Sequence, residues 1–359
     1  MIHPRRRLVL RVLGVTIVLL LAAMMWFGWK AQRTLSNVDK MIVTPVVLPT
    51  ATLAPQVAEE PTPFVADEAP EPIPTAIPEP NGTMNILLVG TDGRPGEDVS
   101  RTDTLVLVHL DAQSNRVSML SFPRDLWVNI PGYGKNRINA AYLTGERKIG
   151  PGYGPALLKE TIGELVGLPI DHFVMINFDG FKTLIDRIGG IYIDVPKAID
   201  DGKYPMDEYE GDVRTMKIHF DAGRQLLDGT KALIYARTRH ADSDFGRNQR
   251  QQQVLMAIFD RVRAQGFLGQ LNNLDEYTDA VSDYVRTDLS RRDMLSLASM
   301  GSKLNAENIQ RYAIDSTMVV ERRLPADVLV LTDHKALKRV VGQMIDPSVA
   351  SAGGEHPAR

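Results

Sequence analysis

Acids and arginines gather at the ends of apolar runs in this chain, in a combination that outlines a phosphate site. Asp92 leaves the run Asn85-Ile86-Leu87-Leu88-Val89, and Asp103 enters the run Thr104-Leu105-Val106-Leu107-Val108. Both runs have the aliphatic, β-branched composition of buried strands. Two carboxylates at adjacent strand ends suit a hard cation that takes oxygen ligands. Arg94 and Arg101, in the loop between them, suit the anion that such a cation binds. The loop fits equally well as a turn at Asp92-Gly93, with Asp103 paired to Arg101 at the surface.

Further cations recur in the same kind of setting. Arg124 leaves a third apolar run, Val117 to Phe122, as Asp92 leaves the first. The segment Asn129 to Tyr142 carries Lys135, Arg137 and Asn139 among glycines and reads as a mobile cationic flap. Asp228 can cap a short helix through Tyr235, although Leu233 to Thr238 also reads as extended, and either way Arg237 and Arg239 emerge together. Arg247, Arg250, Gln251 and Val254 are spaced i, i+3, i+4, i+7, and Ile258 and Val262 continue that stripe. The inward side of this helix therefore begins with polar groups that need a partner, and arginines at a helix N-terminus make an anion site. The alternative pairs these arginines with Asp242 and Asp244. His240 is read as a spectator.

The elements that position these residues are strands and helices in alternation. Pro155 to Val166 reads as a helix and Phe173 to Ile176 as a buried strand. Phe181, Leu184, Ile185 and Ile188 form one face of an amphipathic helix before the strand Ile191 to Val195. This strand-helix-strand unit argues for an α/β domain with helices packed on a central sheet. Pro196 to Lys217 reads as an excursion at one edge, Ser290 to Asp293 as a helix start and Ile309 to Ile314 as extended.

Length and composition fit a globular domain with an anchor. The chain has 359 residues, 44% hydrophobic and 24% charged, and its net charge of -3 gives no signal for nucleic acid. Without cysteine, disulfides, thiolate metal sites and a cysteine nucleophile are excluded. Leu8 to Trp29 is apolar apart from Arg11 and follows Arg5, Arg6 and Arg7, long enough to cross about 30 Å of hydrocarbon. Met24, Met25, Trp26, Phe27 and Trp29 follow Ala22-Ala23, so the segment reads as an uncleaved signal anchor. That reading puts residues 1–7 in the cytoplasm, a span at 8–29, and an extracytoplasmic linker over 30–83, rich in Pro from Thr44 to Asn81. The domain then occupies 84–346 and a loose tail 347–359.

Six ordered blocks resemble the LytR-CpsA-Psr family, over roughly Met84 to Leu304. They are Asn85 to Arg94; Arg101 to Thr104; Ser121 to Asp125; Arg137 to Tyr142; Leu227-Asp228-Gly229 with Ala232 to Arg239; and Gly246-Arg247 with Arg250-Gln251. The resemblance implies a single extracytoplasmic α-β-α domain with a central mixed sheet. It also implies transfer of a glycopolymer from a polyprenyl-diphosphate carrier to the cell wall, usually to peptidoglycan, with magnesium, or manganese in its place, at the diphosphate. By position, Asp92 and Asp103 would hold the metal, while Arg94, Arg124, Arg237, Arg239, Arg247 and Gln251 would contact phosphate. Arg101, Lys135, Arg137 and Arg250 join that diphosphate-binding set, and Asp92, Asp103, Arg124, Arg237 and Arg239 form its catalytic part. Thr102, Phe122 and Arg137 stand where the family often has serine, isoleucine and lysine. Competing readings are a lipid-diphosphate hydrolase and a non-catalytic binder or regulator of lipid-linked glycans. Nucleotide-binding glycine motifs are absent at Gly90 to Gly96.

Overall fold

The computed structural model describes residues 30–49, 82–93, 101–206, 214–239, 244–265, 274–324 and 326–348. The expected span over Leu8–Trp29, most of the proline-rich stretch, Arg94, His240, Asp242 and the tail beyond 348 lie outside the described residues. No helix among those described is long and apolar enough to cross a membrane.

In chain order, a helix over 30–41 (α1) precedes strands β1 (Thr83–Thr91), β2 (Thr102–Asp111), β3 (Arg116–Phe122), β4 (Leu126–Ile130) and β5 (Gly134–Arg137). Helices α2 (Ala140–Thr144) and α3 (Gly154–Val166) lead to β6 (His172–Asn177), α4 (Phe178–Arg187) and β7 (Ile191–Val195). Then come β8 (Ile199–Pro205), β9 (Thr215–Phe220), β10 (Gly223–Leu227), α5 (Gly229–Arg237), α6 (Asp244–Ala264) and α7 (Leu274–Val281). β11 (Val285–Thr287), α8 (Arg291–Lys303), β12 (Ile309–Ala313), β13 (Val319–Arg323), β14 (Asp327–Leu331) and α9 (His334–Ile345) complete the described fold.

A six-stranded mixed sheet, ordered β11-β6-β1-β2-β3-β12, is its centre, with β1-β6 and β3-β12 parallel and the other pairs antiparallel. Successive strand residues face opposite sides, and both sides are covered, which is why the runs are continuously apolar. Leu87, Leu105, Leu107 and Leu120 pack one way, with Leu157 and Ile162 of α3 and Val341 of α9. Ile86, Val106, Val108 and Met119 pack the other way, with Leu255 and Phe259 of α6 and Leu297 of α8. The expected α/β domain with a central mixed sheet is therefore what forms.

Some local expectations resolve differently. β7 is a strand, as its composition predicts, but it pairs with β10 in a separate ribbon rather than extending the central sheet. The supposed flap from Asn129 to Tyr142 is built as β5, hydrogen-bonded to β4, followed by α2. The supposed edge excursion folds as the β8-β9 ribbon. The stretch read as linker from residue 30 begins with α1, which docks on the domain: Lys30 pairs with Asp275 at 3.3 Å, and Arg33 and Asn37 both reach Asp279. Asp39 pairs with Arg291, and Ile42 bridges to Thr287.

One buried group makes this fold sensitive to pH. His109 is 0% exposed; its Nδ1 donates to Asn85 Oδ1 at 2.8 Å, and Nε2 has no hydrogen-bond partner. Burial, and then the nearby Arg116 guanidinium, push its pKa below the ordinary imidazole value. Between that lowered pKa and about 6.5 the unfolded chain binds more protons, so stability is complete above about 6.5 and is lost as pH falls through this window. Melting temperature should therefore drop as pH is lowered from about 7 toward 5, and His109→Gln should flatten that part of the profile. An unchanged profile in the variant would show that His109 is not the group responsible.

Candidate functional site

Between the Val106 side of the sheet and helices α4, α5 and α6 lies a cavity of about 680 Å³. Its walls follow a gradient that the sequence sets along each element. On β1, Leu88, Val89 and Gly90 line it, followed by Asp92; on β2, Asp103 and Thr104 come before Val106. On α6, Arg247 and Gln251 line the first turns, and Val254, Leu255 and Ile258 the later ones. One end is thus charged and the body apolar. Val174, Ile176, Phe181 and Leu184 complete the apolar part.

At the charged end the two aspartates are held by different means. The register of β1 against β2 shifts between Gly90 and Thr91, an irregularity of the kind that re-aims side chains beside a site. Asp92 Oδ1 then accepts the Arg101 backbone N–H at 2.8 Å, and the Asp92 N–H donates to Arg101 O at 3.3 Å, tying the loop's ends together. Asp103 Oδ1 accepts from Arg124 Nη1 at 2.6 Å, while Arg124 Nε reaches Asp125 at 3.4 Å. The sequence alternative of an Asp103–Arg101 pair is not what the structure builds: Arg124 takes that role.

The arginines fall into two groups. Arg124, Arg237, Arg239 and Arg247 line the cavity with Gln251. Arg237 leaves α5, a helix started as expected by Asp228 accepting the Lys231 N–H. Its guanidinium stacks 4.3 Å from the Phe178 ring, and Nη1 donates to the Tyr204 hydroxyl at 3.4 Å. Arg247 is 4% exposed and Gln251 7%, and Gln251 Nε2 reaches Ala236 O at 3.5 Å. Arg250 turns elsewhere, donating from Nε to Tyr235 O at 3.1 Å and from Nη2 to Thr238 O. It holds the end of α5 and does not line the cavity.

Three other cations of the expected diphosphate set also stand off the cavity wall. Arg137 donates to Asp327 O at 2.9 Å and pairs with Asp125 at 3.4 Å, Lys135 is exposed on β5, and Arg101 meets Asp92 through its backbone. Phe178, Asp201 and Tyr204, which do line it, carried no sequence signal beyond an aromatic and an acid in segments read as helix or excursion.

The two carboxylates fit magnesium, which binds through one or two carboxylates together with substrate phosphates rather than in an all-protein cage. No group of three or more His, Cys, Asp or Glu that could hold a metal occurs among the described residues. The arginines present planar forks suited to phosphate oxygens.

Against known proteins, the model of the LytR_cpsA_psr family matches residues 54–345. TagU of Oceanobacillus iheyensis, a polyisoprenyl-teichoic acid–peptidoglycan teichoic acid transferase, is 36% identical over 217 residues, covering 60% of this chain and 61% of that protein. The match thus spans less than two thirds of that relative's length. The crystal structure of TagV from B. subtilis aligns with TM-score 0.57 at 29% identity, over 74% of this chain and 98% of the other. That of TagT bound to LI-WTA aligns with TM-score 0.55 at 25% identity, over 74% and 91%.

Proposed function

This chain belongs to the LytR-CpsA-Psr family, and from that premise we propose that it is a membrane-anchored phosphotransferase moving a glycopolymer from a polyprenyl-diphosphate carrier onto peptidoglycan. The observation that carries the reading is the cavity's gradient from four arginines and three aspartates into an apolar body. An amphiphile with an anionic head and a long hydrocarbon tail is complementary to it at both ends. In this reading residues 8–29 span the membrane with the N-terminus in the cytoplasm, and the domain works outside.

Asp92 and Asp103 are the residues that would hold magnesium. When bound, the ion neutralises phosphate charge and polarises a phosphoryl oxygen. Arg237 and Arg239, at the end of α5, engage the diphosphate from one side, and Arg247 and Gln251 from the first turns of α6. Fixed donors of this kind lower the barrier by holding the charge that spreads over the phosphoryl oxygens during transfer. The acceptor hydroxyl attacks the phosphorus nearer the sugar, and the carrier leaves as polyprenyl phosphate. No covalent enzyme intermediate is required.

The test gives the full chain in detergent micelles Mg²⁺, a lipid-diphosphate oligosaccharide and peptidoglycan fragments, and identifies the products by mass spectrometry. A phosphodiester joining glycan to muropeptide is expected. Free phosphate-bearing oligosaccharide would instead mark a hydrolase, and binding without turnover a regulator. A companion substitution, Val174→Trp, narrows the apolar body. It should raise KM at least about tenfold for a long-chain carrier while sparing a short-chain one; equal effects on both would remove the tail from the cavity.

A further inference from the structure

Asp201 is 1% exposed, lies in the wall of the cavity, and belongs to β8, a strand outside the central sheet. A carboxylate so buried must be matched by donors. Its Oδ2 accepts from Thr238 Oγ1 at 2.6 Å and its Oδ1 from the Lys203 N–H at 2.9 Å. Thr238 is itself 1% exposed and stands between the two cavity arginines, with φ -57° and ψ 138°. Thr238 is the C-cap of α5, joined directly to Arg237, the last residue of that helix, and to Arg239. Fixing the Thr238 hydroxyl therefore fixes the direction in which Arg237 and Arg239 leave the chain. The Thr238 N–H donates to Ile234 O at 2.9 Å and Arg250 holds the Thr238 carbonyl, so the hydroxyl is the third restraint on this residue and the one made by its side chain.

We propose that Asp201 is a positioning residue, which sets Arg237 and Arg239 for a diphosphate by holding the Thr238 hydroxyl between them; this rests on the anion-binding reading above. Tyr204 supports the same geometry, because it sits on the same strand and its hydroxyl accepts from Arg237. The β8-β9 ribbon thus supplies both the acid that orients the arginine pair and a ring beside one member of it.

Inorganic pyrophosphate, titrated into the full chain by calorimetry, reads the arginine geometry without lipid or acceptor. Thr238→Val removes the hydroxyl at nearly constant shape and should weaken pyrophosphate binding about fivefold or more, whereas Thr238→Ser, which keeps it, should stay within about twofold of the parent. Asp201→Ala, which removes the acceptor, should lose binding to a similar degree, and combining it with Thr238→Val should add little further, because both cut one interaction. If the Val and Ser variants bind pyrophosphate equally well, whatever their melting temperatures, the hydroxyl merely fastens the ribbon and the proposal falls. Should Thr238→Val not fold, normal binding by Asp201→Ala overturns the proposal in the same way. Failure of the parent to bind pyrophosphate would remove the anion-binding reading itself, and the positioning role with it.

Discussion

Asp92→Asn is expected to remove most turnover, on the order of a hundredfold or more, while leaving the fold untouched. The amide oxygen can still accept the Arg101 N–H that Asp92 Oδ1 accepts now, so the loop stays closed. What is lost is a negative ligand for a hard cation, for which a neutral amide is a poor substitute. Asp103→Asn should be equally damaging but less clean, since Asp103 also pairs with Arg124 and its loss releases that guanidinium. The pair is partly exposed, at 23% and 18%, so its contribution to stability is about 0–1 kcal/mol and the melting temperature should move little. Activity measured across a Mg²⁺ titration, and again with a chelator, decides the matter. Full activity in both variants, or indifference to the chelator, would falsify the metal assignment.

A second large effect should separate the arginines that face the ligand from the one that serves the scaffold. Arg237→Lys, Arg239→Lys and Arg247→Lys keep the charge but lose the planar fork, and for Arg237 the stack on Phe178 as well. Each should cost tenfold or more in kcat/KM or in lipid-diphosphate affinity, which is about 1.4 kcal/mol. Melting temperatures for Arg237→Lys and Arg239→Lys should stay near the parent's. Arg250→Lys should behave in the opposite way. Arg250 is 5% exposed and satisfies two backbone carbonyls at the end of α5. Charged hydrogen bonds of that kind contribute about 1.5–3 kcal/mol, so the melting temperature should fall by several degrees. If all four variants lose activity and melting temperature in parallel, these arginines form one structural network and not a clamp.

The contrast between Arg247 and Arg250 marks how far the sequence could be read. Their spacing with Gln251 and Val254 is enough to predict a helix with a polar first turn facing inward, and α6 is that helix. Spacing cannot tell which inward side chain meets a ligand and which meets the carbonyls at the end of another helix, because that depends on where α5 stops. The strands were legible for a stronger reason: both faces of the sheet are covered, so Ile86 to Val89 of β1 and Leu105 to Val108 of β2 are apolar without interruption, and Asp92 and Asp103 stand out at the strand ends. β7 shows the limit of that reasoning. Its alternating burial is that of a two-stranded ribbon, and composition identifies it as a strand without naming its partner. Asn129 to Tyr142 read as a flap because glycines at 132 and 134 look like flexibility. Both have positive φ, at 77° and 75°, and serve the turn between β4 and β5.

The chain that follows the docked helix α1 covers one edge of the central sheet. β11 is the outermost strand on its side of the central sheet, and its outer edge offers backbone groups to any passing extended chain. Here the chain that follows α1 occupies that position: Ile42 bridges to Thr287, and the Val43 N–H donates to Thr287 O at 2.8 Å. Met41, 7% exposed, is buried beside them. A shortened protein beginning near Asn81, where composition first turns globular, would leave this edge open and invite pairing between copies. One beginning at Lys30 would keep the edge closed. The segment that reads as a tether is thus also the strip that keeps one domain from adding its sheet to the next.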